Sequence, residues 1–299
     1  MAREFHEFYR APRFRWWKPL AALGLLIAVM VVLSLLLGAI AISSDLNSGR
    51  VTLEQIMSGS ITPALFLVNN LVLASAIPVS LGVHWLVFQQ RPGWLLSLQG
   101  RFRWRLFGRL LVAAVPLYLI SFAVEALLTG GLGGLSWRPE SAFLIAAVVL
   151  TTPLQSAGEE VAIRGLLARC VGSWFSARRV GFVVATAVSA VVFMLLHGAG
   201  DVWLNVFYLT VAVAMSVLAW KTGGLEAPIA LHVVNNLTSM VTLPFTDLTE
   251  VFNREAGVGS PWVLVNVAIA VGAAAAILWQ ASRLGLPTAA APAAPSAAH

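Results

Sequence analysis

Apolar stretches separated by short polar or Gly/Pro-containing breaks recur from residue 19 almost to residue 283. Most come close to the ~20 residues that an α-helix needs to cross the hydrocarbon of a bilayer. The sequence therefore predicts an all-α, polytopic helical bundle integral to a membrane. About eight transmembrane helices are expected, at residues 19–42, 62–88, 107–129, 142–170, 180–198, 203–220, 225–244 and 261–282.

The fourth predicted span, residues 142–170, is unusually long and is interrupted by polar residues. It contains Pro153, Gln155, Glu159 and Glu160. Ionisable groups at membrane depth are costly, so they face other protein groups or water rather than lipid. We expect this helix to line the interior of the bundle.

Composition supports the bilayer as the main solvent of this chain. Of its 299 residues, 59% are hydrophobic and 11% are charged, against roughly 25% charged residues in ordinary soluble domains. The net charge of +6 could indicate a nucleic-acid partner, but the Lys and Arg residues lie in short segments between apolar runs. Because they do not form one basic face, no nucleic-acid partner is expected.

The same basic residues predict the orientation of the chain, since Lys and Arg accumulate in short cytoplasmic loops. With a cytoplasmic N-terminus, sixteen of them fall on the cytoplasmic side, and Arg50, Arg138 and Arg254 fall outside. Both termini are therefore predicted to be cytoplasmic. The Ala- and Trp-rich composition is typical of a bacterial protein, so the inner cell membrane is the expected location.

The chain divides into five predicted segments, and its single cysteine, Cys170, excludes an internal disulfide between them. The segments are a basic cytoplasmic N-terminal segment at 1–18, N-terminal transmembrane helices at 19–140, a core with the polar motifs at 141–244, an outer loop with the last transmembrane helix at 245–283, and a disordered Ala/Pro-rich tail at 284–299.

Two glutamates and an arginine form the first polar motif, Glu159-Glu160-x-x-x-Arg164. On a helix Glu160 and Arg164 share a face and can pair, while Glu159 points about 100° away. One carboxylate is then neutralised, and the other is left free to accept a proton from water. An interfacial salt bridge at a helix end explains the same residues equally well.

Histidine and asparagine form two further polar motifs. His197 closes an apolar helix before Gly198, where a histidine is commonly a hydrogen-bonding residue. His232 and Asn236 are four residues apart and share a helical face. An imidazole can donate to a developing oxyanion or bind a metal, and a carboxamide can donate to the same oxygen. Hydrogen bonding between membrane helices is the simpler explanation of each motif taken singly.

A glycine pair precedes the helix that carries His232. Gly223-Gly224 ends the preceding helix, and Pro228 fits the first turn of the next one. The segment is predicted to be a hinge that aims this helix. Lys221 and Glu226, which flank the glycines, are expected to be interfacial charges.

Three other classes of intramembrane protease can be tested against the sequence. Gly198-Ala199-Gly200-Asp201 is similar to the Gly-x-Gly-Asp of presenilin-like aspartyl proteases, but that mechanism needs two aspartates. The others, Asp45 and Asp247, lie in predicted outer loops. Neither His-Glu-x-x-His nor Gly-x-Ser-Gly occurs, so the helical zinc-protease and rhomboid signatures are absent.

Taken together, Glu-Glu-x-x-x-Arg, Phe-x-x-x-His and His-x-x-x-Asn, in this order on membrane helices, resemble the three motifs of a known family. It is the CAAX-protease and bacteriocin-processing (CPBP, or Abi) family of intramembrane endopeptidases, which includes the Ras-converting prenyl-protein endoprotease. The segment WKTGGLEAPIALHVVNNL is similar to the family's approach to its third motif. The resemblance covers roughly residues 145–240. One departure is Ile163, where family members usually have an aromatic residue.

The resemblance implies a glutamate-dependent intramembrane protease that acts on membrane-associated peptide or protein substrates, with residues 141–244 as its catalytic core. Glu159 would activate the attacking water. His197 and His232 would assist its positioning and proton handling, and Asn236 would stabilise the oxyanion. The site is expected in a water-filled cavity among helices four to seven that opens toward the cytoplasmic leaflet.

The remaining residues of the first motif, Glu160 and Arg164, would form a supporting pair that fixes the orientation of the catalytic carboxylate. No cofactor or metal is expected, because direct glutamate catalysis is the favoured mechanism of the family. Zinc held by Glu159, His197 and His232 is the alternative, since two histidines and a carboxylate can hold this ion with an open position.

Two functions of other classes remain as alternatives. The first is a non-catalytic membrane immunity, chaperone or scaffold protein with the same fold, and retention of all the motif residues argues against it. The second is a small-solute transporter in which the charges at the midplane form the substrate site. The sequence shows no two halves with matching broken segments, a feature common in transporters.

Overall fold

Long helices dominate the computed structural model, which describes residues 2–10, 14–130 and 132–290. Arg13 of the basic segment and residues 291–299 of the predicted disordered tail lie outside the described residues. The α-helices within them are α1 Lys18–Asn47, α2 Leu53–Met57, α3 Pro63–Phe88, α4 Gly93–Leu96, α5 Trp104–Thr129, α6 Ser141–Glu160, α7 Ala168–Gly172, α8 Arg178–Leu196, α9 Val202–Thr222, α10 Glu226–Ser239, α11 Leu248–Val251 and α12 Val263–Ser282.

Three other helical segments and one pair of short strands complete the described residues. A π-helix at Val161–Leu167 joins α6 to α7, and 3₁₀ turns lie at Phe5–Glu7 and Leu243–Phe245. Strand β1, Arg3–Glu4, pairs antiparallel with β2, Ala289–Ala290. The prediction of an all-α polytopic bundle is confirmed.

Within the described residues, seven helices are long and apolar enough to cross a membrane, against about eight predicted. The difference is the seventh predicted span, 225–244, which forms the 14-residue helix α10. Most of α10 is buried inside the protein, so its apolar residues pack against other helices rather than lipid. A helix sheltered in this way need not reach the ~20 residues that spanning requires.

The chain nevertheless returns across the bundle through α10. At its start, the backbone N–H of Leu225 donates to the Leu96 carbonyl, 2.9 Å, beside the connection between α3 and α5. Beyond its end, the Pro244 carbonyl accepts from the Ser141 hydroxyl, 2.6 Å, at the opposite end, where α6 begins. The described residues therefore cross the bundle eight times, and β1 and β2 meet at one end of it.

A buried ion pair fixes the start of α10. Arg103 donates to both carboxylate oxygens of Glu226, at 3.0 and 2.6 Å, and to the Thr222 carbonyl at 3.0 Å. Because the Glu226 side chain is fully buried, its prediction as an interfacial charge is wrong. Gly224 lies against both partners, and a Cβ there would overlap them. The glycine hinge thus allows the ion pair that orients α10.

The contact between α3 and α6 positions the first polar motif. Gly158 lies against the Leu73 carbonyl of α3, so closely that a Cβ at this position would overlap the oxygen. A second contact lies one turn earlier on α3 and two turns earlier on α6, where the Asn70 carboxamide donates to Thr151 and Thr152 at 2.9 and 3.3 Å. Small residues at helix contacts permit such close approach in membranes. Glu159 follows directly after this contact.

The N-terminal segment, whose structure the hydrophobic pattern did not predict, packs into the end of the bundle where β1 and β2 meet. Phe5, Phe8 and Tyr9 are buried. The Phe5 ring covers the buried Arg169 guanidinium at 3.7 Å, and the Tyr9 hydroxyl bonds to His84 of α3 at 2.8 Å. These residues join the same apolar core as α1, α3 and α10.

Candidate active site

The helix that carries the first motif changes its winding at the motif itself. Regular α6 ends at Glu160, and the next residues, Val161–Leu167, form a π-helix. A π-helix is wider than an α-helix and is common at functional sites. Arg164 lies in it, fully buried, and donates from Nη1 to Glu160 Oε1 at 2.9 Å. The predicted supporting contact is therefore present.

Glu159 presents one carboxylate oxygen that has no hydrogen-bond partner. Its Oε1 accepts from Gln155 Nε2 at 2.5 Å. Its Oε2 is buried and accepts no hydrogen bond within the described residues, and it lies 3.7 Å from His232 Nε2. A buried oxygen of this kind costs free energy unless something completes its bonding. The gap to His232 leaves Oε2 available to a water molecule or a reacting group.

His232 is held by the neighbouring glutamate. Its Nδ1 is 2.9 Å from Glu160 Oε1, the same oxygen that accepts from Arg164. A carboxylate can only accept, so Nδ1 carries the hydrogen, and the Nε2 of the neutral ring is an acceptor. The Glu160 carboxylate thus orients the imidazole, with Nε2 directed at Glu159.

An aromatic cluster supports both histidines. The Phe193 ring centroid lies 5.7 Å from that of His232, 4.6 Å from that of His197 and 4.4 Å from the Arg164 guanidinium carbon. His197 also stacks on Tyr208, with 4.0 Å between ring centroids. Its Nδ1 bonds to the Phe193 carbonyl at 2.8 Å, which again leaves Nε2 as the acceptor of the neutral ring. Phe193 therefore contacts one side chain from each of the three motifs: Arg164, His197 and His232.

Asn236 is connected to Glu159 through a third side chain. Its Nδ2 donates to Gln155 Oε1 at 3.1 Å and to Ser156 Oγ at 3.2 Å. Gln155 in turn donates to Glu159. A single amide thus bridges the carboxylate of the first motif and the carboxamide of the third, so the two cannot move independently.

These side chains border a cavity of about 840 Å³. Glu159, His197 and Asn236 line it, together with Gln155 and Tyr208. Behind this surface lie His232, Glu160 and Arg164, all buried. The structure therefore brings all six residues predicted from the motifs into one connected site, half of them at the cavity surface and half supporting it.

Comparison with protein families assigns the part of the chain that carries this site. Residues 139–238 match the model of the Rce1-like family, described as type II CAAX prenyl endopeptidases. The segment is a third of the chain, and it contains every motif residue from Glu159 to Asn236. Comparison with curated proteins and with solved structures gives no match. The Rce1-like family is one of proteases, so the match supports membrane proteolysis as the general activity.

Several cavity residues were not predicted to belong to the site. Gln155 is four residues before Glu159, a spacing that puts both on one helical face, and this signal could have found it. Tyr208 and Arg254 also line the cavity. They lie on α9 and on the loop before α12, outside the three polar motifs, and no spacing in the sequence connects them to Glu159.

The depth of His197 posed a difficulty for the sequence prediction, since it lies at the far end of its helix while His232 lies near the start of another. The structure removes the difficulty, because both rings contact Phe193. The start of α10 lies at the end of the bundle, where the Leu225 N–H donates to the Leu96 carbonyl. The distance to a helix end therefore does not give the relative positions of the two rings.

Asp201, the residue of the aspartyl-protease resemblance, has a structural role instead. It caps α9, accepting from the backbone N–H groups of Leu204 and Trp203 at 3.1 and 2.8 Å. The Gly257 N–H donates to its other oxygen at 3.0 Å. These hydrogen bonds, led by that of Leu204, hold the pKa of Asp201 below its ordinary value. The carboxylate therefore stays ionised and anchors the loop before α12.

Proposed function

We propose that this protein is an intramembrane endopeptidase that hydrolyses peptide bonds of membrane-associated proteins or peptides with water activated by Glu159. The observation that carries the proposal is the buried, unpartnered Glu159 Oε2 beside an 840 Å³ cavity, 3.7 Å from His232 Nε2. A general base must be within hydrogen-bond reach of the water that it deprotonates. A water bound to Oε2 and one imidazole Nε2 meets this requirement.

Each proposed step has a residue that can perform it. Glu159 takes a proton from the water as its oxygen adds to the scissile carbonyl carbon, and the carbonyl oxygen becomes the oxyanion. Asn236 donates an N–H to that oxygen in place of its bond to Gln155 or Ser156. The protonated Glu159 then gives its proton to the leaving amine as the C–N bond breaks. The water donates one hydrogen to Glu159 and the other to the Nε2 of one histidine, which orients it.

The supporting residues keep this arrangement in place before substrate binds. Glu160 holds the His232 ring through Nδ1, and Arg164 neutralises Glu160 inside the protein. Arg164 also donates to the Ala212 carbonyl of α9 at 3.2 Å, which ties the π-helix to the neighbouring helix. Groups that are already oriented need no rearrangement at the moment of reaction, which lowers the barrier.

A cleavage assay with purified protein in liposomes tests the proposal. We expect wild-type protein to cut members of a membrane-associated peptide library at internal bonds, as mass spectrometry would show. Because Glu159 itself activates water, chelation should leave cleavage unchanged, and metal analysis should find far less than one zinc per chain. Loss of activity on chelation that zinc restores would instead favour the zinc alternative on Glu159, His197 and His232. No cleavage of any library member would contradict the proposed function.

A second prediction concerns Gln155, which bridges Glu159 and Asn236. Gln155→Met keeps the length of the side chain but removes its hydrogen bonds with Glu159, Asn236 and Ser156. We therefore expect kcat to fall on the order of 100-fold, the effect of misplacing a catalytic group by about 1 Å, with KM little changed. Leu154→Met, on the neighbouring and largely exposed position, is the matched control and should behave as wild type. Equal activity of the two variants would show that Gln155 has no positioning role.

A further inference from the structure

The cavity lies in the half of the bundle that is remote from β1 and β2. Most of its lining residues come from the first halves of α3, α9 and α12 and from the second halves of α5, α8 and α10, while Gln155, Glu159 and Ile163 of α6 and the π-helix line it nearer the middle of the bundle. These parts of the helices lie toward the end of the bundle opposite to the start of α1. The start of α1 and the start of α10, which lies against the loop before α5, are at the other end. The loop before α12 contributes Arg254 to the same wall.

The other end of the bundle is closed by the N-terminal segment. Phe8 stacks on Trp94 of α4, with ring centroids 5.3 Å apart, and Phe5 covers Arg169 of α7. The backbone of His6 lies against Gly172 so closely that a Cβ there would overlap the His6 carbonyl. These contacts fill the space between the ends of α3, α7 and α8.

This geometry makes two sequence predictions incompatible. Cytoplasmic termini and a cavity that opens toward the cytoplasmic leaflet cannot both hold, because the paired strands β1 and β2 and the cavity occupy opposite halves of the bundle. The distribution of charge decides between them, since loop Lys and Arg residues set the orientation of a membrane protein.

The charge count survives correction for buried residues. Of the sixteen residues assigned to the cytoplasmic side, Arg103, Arg164 and Arg169 are almost fully buried and bond to groups inside the protein. Without these three and Arg13, which lies outside the described residues, twelve basic residues remain at the end with the N-terminus, against three at the cavity end. The asymmetry still favours cytoplasmic termini.

We propose that the cavity opens on the non-cytoplasmic side of the membrane and takes its substrates there. The substrate class rests on the proposed function, whereas the orientation of the cavity does not. The substrate class follows from the geometry: peptide segments that have already crossed the membrane, or that are anchored in its outer leaflet, whose scissile bond reaches Glu159 from that side.

Thiol labelling tests the orientation without any need for activity. Cys170 is the single cysteine and is buried, so Cys170→Ala gives a background with no thiol. Ser239→Cys then places a thiol at the exposed end of α10 on the cavity wall, and Ser176→Cys places one between α7 and α8 at the opposite end, also exposed. Both are the same substitution, and a maleimide that cannot cross membranes is the probe.

In intact cells we expect the maleimide to label Ser239→Cys and to leave Ser176→Cys unlabelled. In inside-out vesicles the order should reverse. Detergent-solubilised protein, in which both thiols should react, controls for accessibility. The reverse pattern in cells would overturn the proposal, and so would a Ser239→Cys thiol that reacts only in detergent, because the cavity would then be closed to water on both sides.

Cleavage from each side tests the substrate class separately. A soluble amphipathic peptide library added to right-side-out vesicles should be cut by wild-type protein, and the same library added to inside-out vesicles should be cut at least 10-fold more slowly. Faster cleavage in inside-out vesicles would overturn the proposed substrate side. If no vesicle cuts any peptide while the labelling follows the expected pattern, the proposed substrate class fails together with the proposed function, and the orientation stands.

Discussion

Glu159→Gln is expected to give a folded, membrane-inserted protein that no longer hydrolyses peptide bonds. Glutamine keeps the size of glutamate and can still accept the hydrogen bond from Gln155. It cannot take a proton from water, so the step that begins the reaction is lost. General-base catalysis contributes roughly 10²–10⁴-fold to a rate, and we expect turnover to fall at least that far, with products measured by mass spectrometry.

Glu140→Gln is the matched control for this experiment. Glu140 is the residue before α6, and its carboxylate pairs with Arg138 at 3.0 Å near the surface, away from the cavity. The same substitution there should leave cleavage at the wild-type rate. Equal cleavage by Glu159→Gln and wild type would refute the glutamate mechanism. A cellular phenotype that survives Glu159→Gln unchanged would favour the non-catalytic scaffold.

Arg164→Ala is expected to lower the yield of folded protein as well as activity. Glu160 is fully buried and accepts from Arg164 and His232, so removal of the guanidinium leaves a buried carboxylate without its counter-charge. Breaking a buried pair in this way costs about 3–5 kcal/mol. The fraction of protein that elutes as a monodisperse peak after solubilisation, and its midpoint of thermal unfolding, should both fall.

Two further variants separate charge from fold. Arg179→Ala removes an exposed arginine at the start of α8 and should not change the unfolding midpoint. Combining Glu160→Gln with Arg164→Met removes both charges and should recover part of the folded yield, because a neutral pair needs no counter-charge. If Arg164→Ala instead unfolds at the wild-type temperature, Arg164 does not support Glu160.

The sequence was most informative about relations within one helix. The spacing of Glu160 and Arg164, and of His232 and Asn236, predicted shared faces because helical geometry relates residues four apart. Gln155 could have been found by the same rule. The bundle architecture was also predicted from the lengths of the apolar stretches. The one predicted span that is too short to cross a membrane alone is α10, whose apolar residues are buried by protein.

Relations between helices were harder to predict. Depth was judged from the distance to a helix end, and this measure did not predict that the rings of His197 and His232 both contact Phe193. The N-terminal segment is similar, because Phe5, Phe8 and Tyr9 bury their rings only against residues of α3, α4 and α7. Contacts so distant in sequence leave no local pattern. The direction in which the cavity opens relative to the termini depends on them, so no local pattern predicts it.

The pairing of β1 with β2 bears on how the protein is made. Residues 289–290 leave the ribosome 285 residues after residue 4, a delay on the order of tens of seconds at typical rates of synthesis. Throughout this time the aromatic side chains of the first ten residues lack part of their final surroundings. The closed end of the bundle is therefore completed only after nearly all the helices have been inserted.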